Sequence, residues 1–493
     1  MSIVRFSATI LVIIALLSPG LAASGFENFS VGIQARGMSG AFRAVADDWT
    51  AAYYNPAGYA FIQDNQLGGT VGLIHLRNEI VPDYVIGGVY DIGMYNDVTN
   101  YNNHQIYSNP SGGFVARLPI MGETVVGLSA YQPFDYNITW EMYDLPLAYN
   151  DSLSVPGDQF SNNIDVVAFQ LTLARELVEE KVSFGLGLQV LRADLIYSNL
   201  IFRESPYLDT PLGVRPWDLI TEFNKNDGSG WGFGIKGGLL IKLNDKLNMG
   251  ITGHLPFDIT VKGKSRLEYF MPRNTDILTP GGEEGEDYLP GTPEYLFASG
   301  SLIADSADFE TKLKLPASFG MGLAYALTEK LTVALDAEYT LWSKYDGLDF
   351  VFTNHDGLTG AADTSVMLTE FFTQDISNPV EWQDAAKVAM DLKYDFKSFI
   401  TLLAGASFDQ SPARDAVEFT PHLMDTGTKY SYSTGVIYHH DQWDFGLAGS
   451  ITTYPDLTVE NLVDTDADGL PDNFAGEYKA STYETVLSFN YRF

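Results

Sequence analysis

The last eleven residues of the chain alternate between the two faces of an extended strand. One face is apolar or aromatic at almost every position and carries Tyr483, Thr485, Leu487, Phe489, Tyr491 and Phe493. The other face is mostly polar and carries Glu484, Val486, Ser488, Asn490 and Arg492. A lipid-facing barrel strand requires one apolar face with aromatic residues at its end. This pattern therefore makes an outer-membrane β-barrel the first hypothesis.

The N-terminus supports an exported protein. A short positive start at Arg5 precedes an apolar run from Ile10 to Leu17, and small residues follow at Ala22 and Ala23. This order is typical of a cleaved secretory signal, which we place at residues 1–23. The alternative is a membrane-anchoring helix, which needs about 20 apolar residues, more than this run supplies. No long apolar run follows, so a membrane protein with this sequence must cross the bilayer as a closed sheet.

Composition narrows the possible partners. The chain has 493 residues, with 63 acidic against 29 basic residues and a net charge of −34. This charge argues against nucleic acid, whose phosphates would be repelled. Cysteine is absent, which excludes disulfides, thiol nucleophiles and cysteine-ligated metals. Only 19% of the residues are charged and 13% are aromatic, a balance that suits a chain with one face in lipid.

A period of two residues recurs along the chain and predicts about fourteen strands, an even number typical of single-chain outer-membrane barrels. Residues 182–190 and 331–339 show it most clearly, with apolar and small or polar residues in alternation. The predicted strands are 64–80, 106–118, 123–140, 162–177, 181–200, 229–243, 247–265, 309–327, 330–345, 383–396, 398–411, 426–439, 442–456 and 478–493.

The connections between these strands alternate in length. Tight turns such as Val178–Glu180, Asn244–Lys246 and His440–Asp441 alternate with long connections such as 201–228 and 266–308. Short turns on one side and long loops on the other are the asymmetry of an outer-membrane barrel. A soluble β-sandwich or propeller has no reason to alternate in this way. The long loops should face outside the cell, and we expect a monomer with residues 63–493 as the barrel.

Residues 24–62 do not resemble a strand. They are rich in alanine and predict short helical pieces that stop at Asn55-Pro56, because the residue before proline is pushed out of the α region. Such a segment could fill a barrel lumen too wide for its own side chains. Inward-facing glycines such as Gly185 and Gly238 would let its backbone approach the wall. The alternative is a free periplasmic arm.

At these residues the chain resembles a known family. Gly32–Ala41, Ala46-Asp47-Asp48 and Asn55-Pro56-Ala57 are similar to the N-terminal hatch of the FadL family of outer-membrane long-chain fatty acid transporters. Further similar segments follow in the family's order over nearly the whole chain. They are Trp231–Gly234, Leu315–Phe319, Leu341–Tyr345 and Trp382–Asp384. Each match alone is weak, and the ordered set is specific.

The resemblance implies a fourteen-stranded barrel plugged by the hatch, with a hydrophobic pocket in the lumen. It also implies a lateral opening at a kinked third strand, here 123–140, where Pro133 interrupts the sequence. Proline cannot donate to the ladder, so Pro133 would mark locally broken pairing. The alternative is that Pro133 ends the strand early. We therefore assign gating to Asn55, Pro56, Ala57 and Pro133.

The resemblance also implies a ligand group for a fatty acid carboxylate. The family places a basic residue in a segment similar to Pro421–Tyr430, and this chain has Lys429 where the family has arginine. Lysine keeps the charge but lacks the bidentate fork. Because other branches of the family carry aromatic and neutral hydrophobic molecules, the substrate stays open between these classes and long-chain fatty acids.

A stretch near the C-terminus has the spacing of a calcium loop. Carboxylates at Asp464, Asp466, Asp468 and Asp472 occupy relative positions 1, 3, 5 and 9, with Gly469 at position 6. A sharp glycine turn of this kind gathers oxygens around Ca²⁺. Position 12 is Ala475, so the usual bidentate glutamate is missing. The prediction is a Ca²⁺ site in the last external loop, and the alternative is a solvated acidic tip.

The sequence contains no motif in the context that catalysis requires. Gly232–Gly237 matches G-x-G-x-x-G but lies within an alternating strand and opens no helix. His439-His440 lies at a turn, where solvation is the default. We predict no enzyme and no catalytic residue.

The expected function is passive uptake of long-chain fatty acids or related hydrophobic molecules at the Gram-negative outer membrane, among outer-membrane lipids. The alternatives are a partner in protein secretion or surface attachment and a barrel-embedded hydrolase.

Overall fold

The computed structural model describes most of the barrel and part of the N-terminal region. The described residues are 25–28, 31–83, 85–86, 90–91, 98–103, 106–118, 124–143, 156–203, 219–272, 296–297, 299–357, 372–413, 420–422, 427–460, 463 and 473–493. The predicted signal peptide 1–23 lies outside them. So do the candidate calcium ligands Asp464, Asp466, Asp468 and Asp472, and both features stay predictions.

Among these residues, fourteen antiparallel strands form one sheet. Five of the strands consist of two segments that pair with the same neighbours. The strands are β1 Gln66–Pro82, β2 Ile106–Leu118, β3 Thr124–Trp140, β4 Phe160–Val178, β5 Val182–Arg203, β6 Ile220–Asn244, β7 Leu247–Pro256 with Ile259–Phe270, β8 Leu302–Leu313 with Ser318–Ala326, β9 Leu331–Thr340 with Gly347–Thr353, β10 Ile376–Pro379 with Ala385–Lys397, β11 Ile400–Asp409, β12 Lys429–His440, β13 Trp443–Thr453 with Leu457–Val459, and β14 Gly476–Arg492.

The sheet closes on itself. Strands pair with their neighbours in sequence order, and β1 pairs with β14 from Gln66 opposite Arg492 to Pro82 opposite Gly476. The first strand is thus paired with the last, so neither terminal strand is left as an open edge, which is the condition for crossing a bilayer with strands. The predicted fourteen-stranded antiparallel barrel is confirmed.

The two ends of the barrel differ. Turns at 179–181, 245–246, 327–330, 398–399 and 441–442 lie at one end. The backbone N–H of Phe493 donates to the Asn65 carbonyl at 3.0 Å at this same end. The turn end is therefore periplasmic, and the long connections are extracellular.

The outer face of the barrel is apolar and the inner face is mixed. On β5, Phe184, Leu188 and Val190 are exposed, whereas Ser183 and Gln189 on the other face are buried. This alternation places the exposed side chains in lipid. None of the helices within the described part of the chain is long and apolar enough to cross a membrane.

Candidate functional site

The N-terminal segment, residues 25–28 and 31–62, lies against the inner face of the barrel. It contains helices α1 Ile33–Gly37 and α2 Ala51–Tyr54 and a 3₁₀ helix Pro56–Phe61. Most of its side chains are buried, as expected for a segment surrounded by a wall. Arg36 at the end of α1 is ion-paired with Glu484 of β14 at 2.7 Å. The segment therefore fills lumenal space that the barrel side chains leave open.

Two wall glycines allow the segment to approach. A Cβ at Gly185 would lie 2.2 Å from the backbone carbon of Pro56, and a Cβ at Gly238 would lie 2.1 Å from Asn55 Oδ1. Either side chain would displace the segment, so glycine is required at both positions. Both were among the inward-facing glycines that the sequence indicated.

Asn55 and Pro56 form the turn that the sequence predicted. Helix α2 ends at Tyr54, Asn55 is extended (φ −152°, ψ 98°), and Pro56 starts the 3₁₀ helix. The Asn55 amide donates to the carbonyls of Arg43 at 2.9 Å and Leu239 at 3.0 Å, and its oxygen accepts from the N–H of Ala57 at 3.2 Å. Asn55 thus ties the segment both to itself and to strand β6.

A buried ion cluster holds the middle of the segment. Arg43 Nη1 lies 3.2 Å from Asp336 Oδ2 on β9, and Arg43 Nη2 contacts the Glu338 carboxylate. The same oxygen of Asp336 accepts from the backbone N–H groups of Phe42 and Arg43 at 3.1 and 3.0 Å. Charge-assisted bonds of this kind fix one position of the segment against the wall.

Strand β3 is irregular at Pro133. The pairing of β3 with β4 shifts register between Tyr131 and Phe134, so Pro133 lies in a bulge rather than at a strand end. The pairing of β2 with β3 runs from Leu118–Thr124 to Gly112–Ala130 and stops there, although β2 continues to Ile106. Among the described residues of these two strands, the ladder is therefore open beyond Ala130.

Residues Phe26–Asn28 cover the inner side of this gap. Glu27 forms an antiparallel bridge with Phe134, and the N–H of Asn28 donates to the Pro133 carbonyl at 2.9 Å. The N–H of Asp135 donates in turn to the Phe26 carbonyl at 3.0 Å. The start of the N-terminal segment thus satisfies backbone groups that β2 leaves unpaired.

A cavity of about 200 Å³ lies on the extracellular side of the segment. Phe26 forms part of its wall, together with residues from the extracellular strand ends and connections. Nine aromatic residues line it: Phe26, Tyr143, Phe160, Tyr197, Phe202, Tyr269, Tyr345, Trp382 and Phe474. Edge-to-face contacts connect several of these rings, for example Tyr143 with Phe202 at 5.2 Å. This lining suits an apolar ligand.

Arg203 and His422 in the cavity wall each have a polar partner. Arg203 Nε lies 2.7 Å from Glu222 Oε2. His422 donates from Nε2 to the Ser198 carbonyl at 2.7 Å and stacks on Tyr197 with ring centroids 4.4 Å apart. Burial lowers the pKa of His422 to about 4, so its imidazole is neutral at pH 7. Among the described lining residues, Arg203 is then the one positive charge, and Glu222 neutralises it.

The segment Thr420–His422 forms part of this cavity wall. Trp140 Nε1 donates to the Pro421 carbonyl at 2.9 Å, and the Asn162 amide donates to the His422 carbonyl at 3.0 Å. These bonds connect an extracellular connection to β3 and β4. The sequence analysis assigned a role in the stretch Pro421–Tyr430 to Lys429 and none to His422.

Lys429 is buried in the lumen at the start of β12, outside the residues that line the cavity. Its ammonium lies 5.7 Å from the ring centroid of Tyr454, and in the strand register it is opposite Asp409. The structure therefore does not bring Lys429 together with the aromatic rings of the cavity. Its role as a carboxylate receptor stays a prediction.

A family-wide sequence profile for outer membrane transport proteins (OMPP1/FadL/TodX) matches residues 14–493. The 47 kDa outer membrane protein of Pasteurella multocida is 25% identical over 284 residues, which cover 55% of this chain and 53% of that relative. The chain thus spans about half the length of this relative. Outer membrane protein P1 of Haemophilus influenzae is 23% identical over 88% of this chain and 87% of its own length.

Solved structures share the fold. A Pseudomonas aeruginosa FadL homologue superimposes with a TM-score of 0.70 at 18% identity, covering 95% of this chain and 99% of its own. The Pseudomonas putida toluene transporter TodX superimposes with a TM-score of 0.63 at 15% identity, covering 94% of this chain and 99% of its own.

Proposed function

This chain belongs to the outer membrane protein transport family (OMPP1/FadL/TodX), the channels for hydrophobic compounds, and we propose that it takes up a neutral hydrophobic small molecule without an energy source. The observation that carries the proposal is the aromatic cavity, in which the Arg203 charge is neutralised by Glu222. A ligand carboxylate entering there would find no unpaired cation among the described lining residues. Burying a carboxylate without a partner is costly, so an uncharged ligand fits better.

Long-chain fatty acids are the other substrate class. Their carboxylate would need Lys429, which the described cavity lining does not include. The volume of about 200 Å³ suits a single aromatic ring, since an apolar cavity of about 150 Å³ holds benzene. The toluene named for the TodX relative is a molecule of this size and supports the neutral class.

We place the route of release at the gap beyond Ala130. Phe26 lines the cavity, and its neighbours Glu27 and Asn28 cover the gap between β2 and β3. One movement of Phe26–Asn28 away from β3 would therefore open the cavity wall and the sheet together. The ligand would leave sideways into the membrane, and Asn55, Pro56 and Ala57 would hold the rest of the segment in place.

A disulfide tests this route. Glu27 and Phe134 are antiparallel bridge partners, and such pairs have Cα atoms about 4.5–5.5 Å apart, within disulfide range. The chain has no cysteine, so Glu27→Cys with Phe134→Cys forms a single defined bond. We expect uptake of labelled toluene by cells expressing the oxidised variant to fall to the level of cells without the protein.

The reduced variant and each single cysteine variant are the controls and should take up ligand. Full uptake by the oxidised protein would show that Phe26–Asn28 stays in place during transport and would remove the proposed route. If wild-type protein neither binds nor takes up toluene, an alkane or a fatty acid, a partner role in secretion or surface attachment becomes the better account.

A further inference from the structure

A column of basic residues stands on the outer face of the barrel, above the lipid-facing belt. On β6 this belt ends with the exposed rings of Phe233 and Trp231. Lys262 on β7 is paired with Ser229, two residues beyond Trp231 toward the extracellular end. The position is therefore just outside the apolar region, at the depth of lipid headgroups.

The column consists of Lys262, Lys264 and Arg266, which occupy alternate positions of β7 and so share one face. Their side chains are 67%, 73% and 55% exposed. Two residue steps of about 3.4 Å separate neighbours, so the charges are about 7 Å apart along the strand. The face is not purely basic, since the exposed Asp227 of β6 is opposite Lys264 in the strand register.

A fourth cation lies at the lower edge of the column. Arg192 on β5 is opposite Trp231 in the register, and its guanidinium is 5.2 Å from the Trp231 ring centroid. An aromatic ring with a cation above it is an arrangement suited to the boundary between acyl chains and charged headgroups.

The column is accessible to an anion in spite of its own partners. Lys262 pairs with Glu310 and Lys264 pairs with Asp308, both at 2.6 Å across the strands, and both of these acids are exposed. Arg266 Nη2 lies 2.6 Å from Oε1 of Glu268, an acid on the same strand whose side chain is nearly buried. Water and dissolved salt screen exposed ion pairs, so such pairs are held weakly. A ligand phosphate can therefore take over these ammonium groups at small cost. The buried pair Arg36–Glu484 in the lumen offers no such access.

We propose that this column binds the phosphorylated headgroup of an outer-leaflet glycolipid of the lipid A type. The two exposed lysines supply point charges for the phosphates, Arg266 adds a third positive charge beside them, and the belt at Trp231 and Phe233 receives the acyl chains. The length of the column suits more than one phosphate. This site is on the outer surface, so it is independent of uptake through the lumen.

The test compares two lipids and two triple variants. Lys262→Gln, Lys264→Gln and Arg266→Gln are combined in one protein. The matched control combines Lys181→Gln, Lys246→Gln and Lys330→Gln, three exposed lysines at the periplasmic turns. Binding of bisphosphorylated lipid A and of the same lipid without phosphates is measured by native mass spectrometry on detergent-purified protein.

We expect wild type and control to bind lipid A equally and the column variant to bind at least about tenfold more weakly, since each basic residue near an anionic lipid is worth roughly 1 kcal/mol. The lipid without phosphates should bind all three proteins weakly. Equal binding of lipid A by column variant and control overturns the proposal, and so does equal binding of the two lipids by wild type.

Binding of inorganic phosphate distinguishes a site for free phosphate from a site for the phosphate of a lipid headgroup. If it binds the wild type while lipid A does not, the column is a free-anion site and the lipid proposal is wrong. If the triple variant fails to assemble, Lys264→Gln alone repeats the comparison, because a side chain so exposed cannot support the fold. An unchanged affinity in that single variant would also contradict the proposal.

Discussion

The lumen has two regions that are held together by different forces. The extracellular cavity is walled by aromatic rings such as Trp382 and Tyr345, whose ring centroids are 4.7 Å apart. The N-terminal segment beneath it is fixed by directed bonds, such as those from Arg43 to Asp336 and from Asn55 to the Leu239 carbonyl. Both regions are buried, but the first depends on apolar contact and the second on charge and hydrogen-bond geometry.

This difference separates holding a ligand from closing the channel. Apolar contact is non-directional, so a ring-lined cavity tolerates ligands of several shapes and lets them slide. Hydrogen bonds, including the charge-assisted ones of the ion cluster, weaken steeply away from their preferred distance and angle, so the segment is either seated or released. Substitutions in the cavity wall should therefore change ligand binding, and substitutions at the bonds of the segment should change closure of the channel.

The largest expected effect is at Arg43. Arg43→Ala removes the cation that contacts the buried Asp336 and Glu338 carboxylates, and breaking a buried ion pair in this way costs about 3–5 kcal/mol. The segment should then become open to hydrogen exchange while the barrel keeps its heat-modifiable gel mobility. Arg43→Lys retains a charge and should exchange less. An equally protected segment in Arg43→Ala would show that apolar packing alone seats it.

A smaller loss is expected at the turn. Asn55→Ala with Pro56→Ala removes the amide that satisfies the Arg43 and Leu239 carbonyls, at a cost of about 1–3 kcal/mol per buried group left unpaired. Uptake should change and assembly in the membrane should not. The exposed pair Asn244→Ala with Asp245→Ala is a control with no expected effect. Loss of assembly would mean that the turn is needed to build the barrel.

The cavity wall should respond to pH through His422. Its folded pKa of about 4 is below the ordinary value of about 6.5, so docking of Thr420–His422 is fully stabilised above pH 6.5 and loses that stabilisation as pH falls toward 4. Toluene affinity should fall over this range by at most about tenfold per pH unit, because one proton is linked. In His422→Gln the fall should be absent, as titrated by tryptophan fluorescence.

The smallest expected effect is at Lys429. Because this residue does not line the described cavity, Lys429→Ala should leave toluene binding unchanged. If a fatty acid carboxylate does reach Lys429, fatty acid binding alone should weaken by about 1–3 kcal/mol, the value of a charged hydrogen bond. Calorimetry with both ligands measures the difference. A loss of fatty acid binding alone would make long-chain fatty acids the better-supported substrate class.

The strands were predictable because lipid imposes a strict alternation on them. The predicted strand 181–200 is observed as Val182–Arg203, nearly as expected. The prediction of 229–243 missed the first part of Ile220–Asn244, whose residues 220–226 are buried or half-buried on both faces and so show no period. The breaks in β7 and β8 were missed for a similar reason, since two collinear segments have the same alternation as one strand.

The site was predictable only where chain geometry restricts residue type. Pro133 and Asn55 were identified because proline and the residue before it have limited conformations, and both lie where that reasoning placed them. The aromatic wall was missed because its members come from strands and connections far apart in sequence. Arg203 and Glu222 acquire their role only as neighbours on paired strands, which no local pattern reveals.

The seam between β1 and β14 has a consequence for the order of folding. This pairing joins the two ends of the barrel sequence over Gln66–Pro82 and Gly476–Arg492, so it forms only after the whole chain between them has been synthesised. Contacts between such distant residues form slowly. The Arg36–Glu484 pair crosses from the N-terminal segment to the last strand. The ion pair therefore joins the N-terminal segment to the same strand that closes the barrel, so seating of the segment and closure of the seam should stabilise each other.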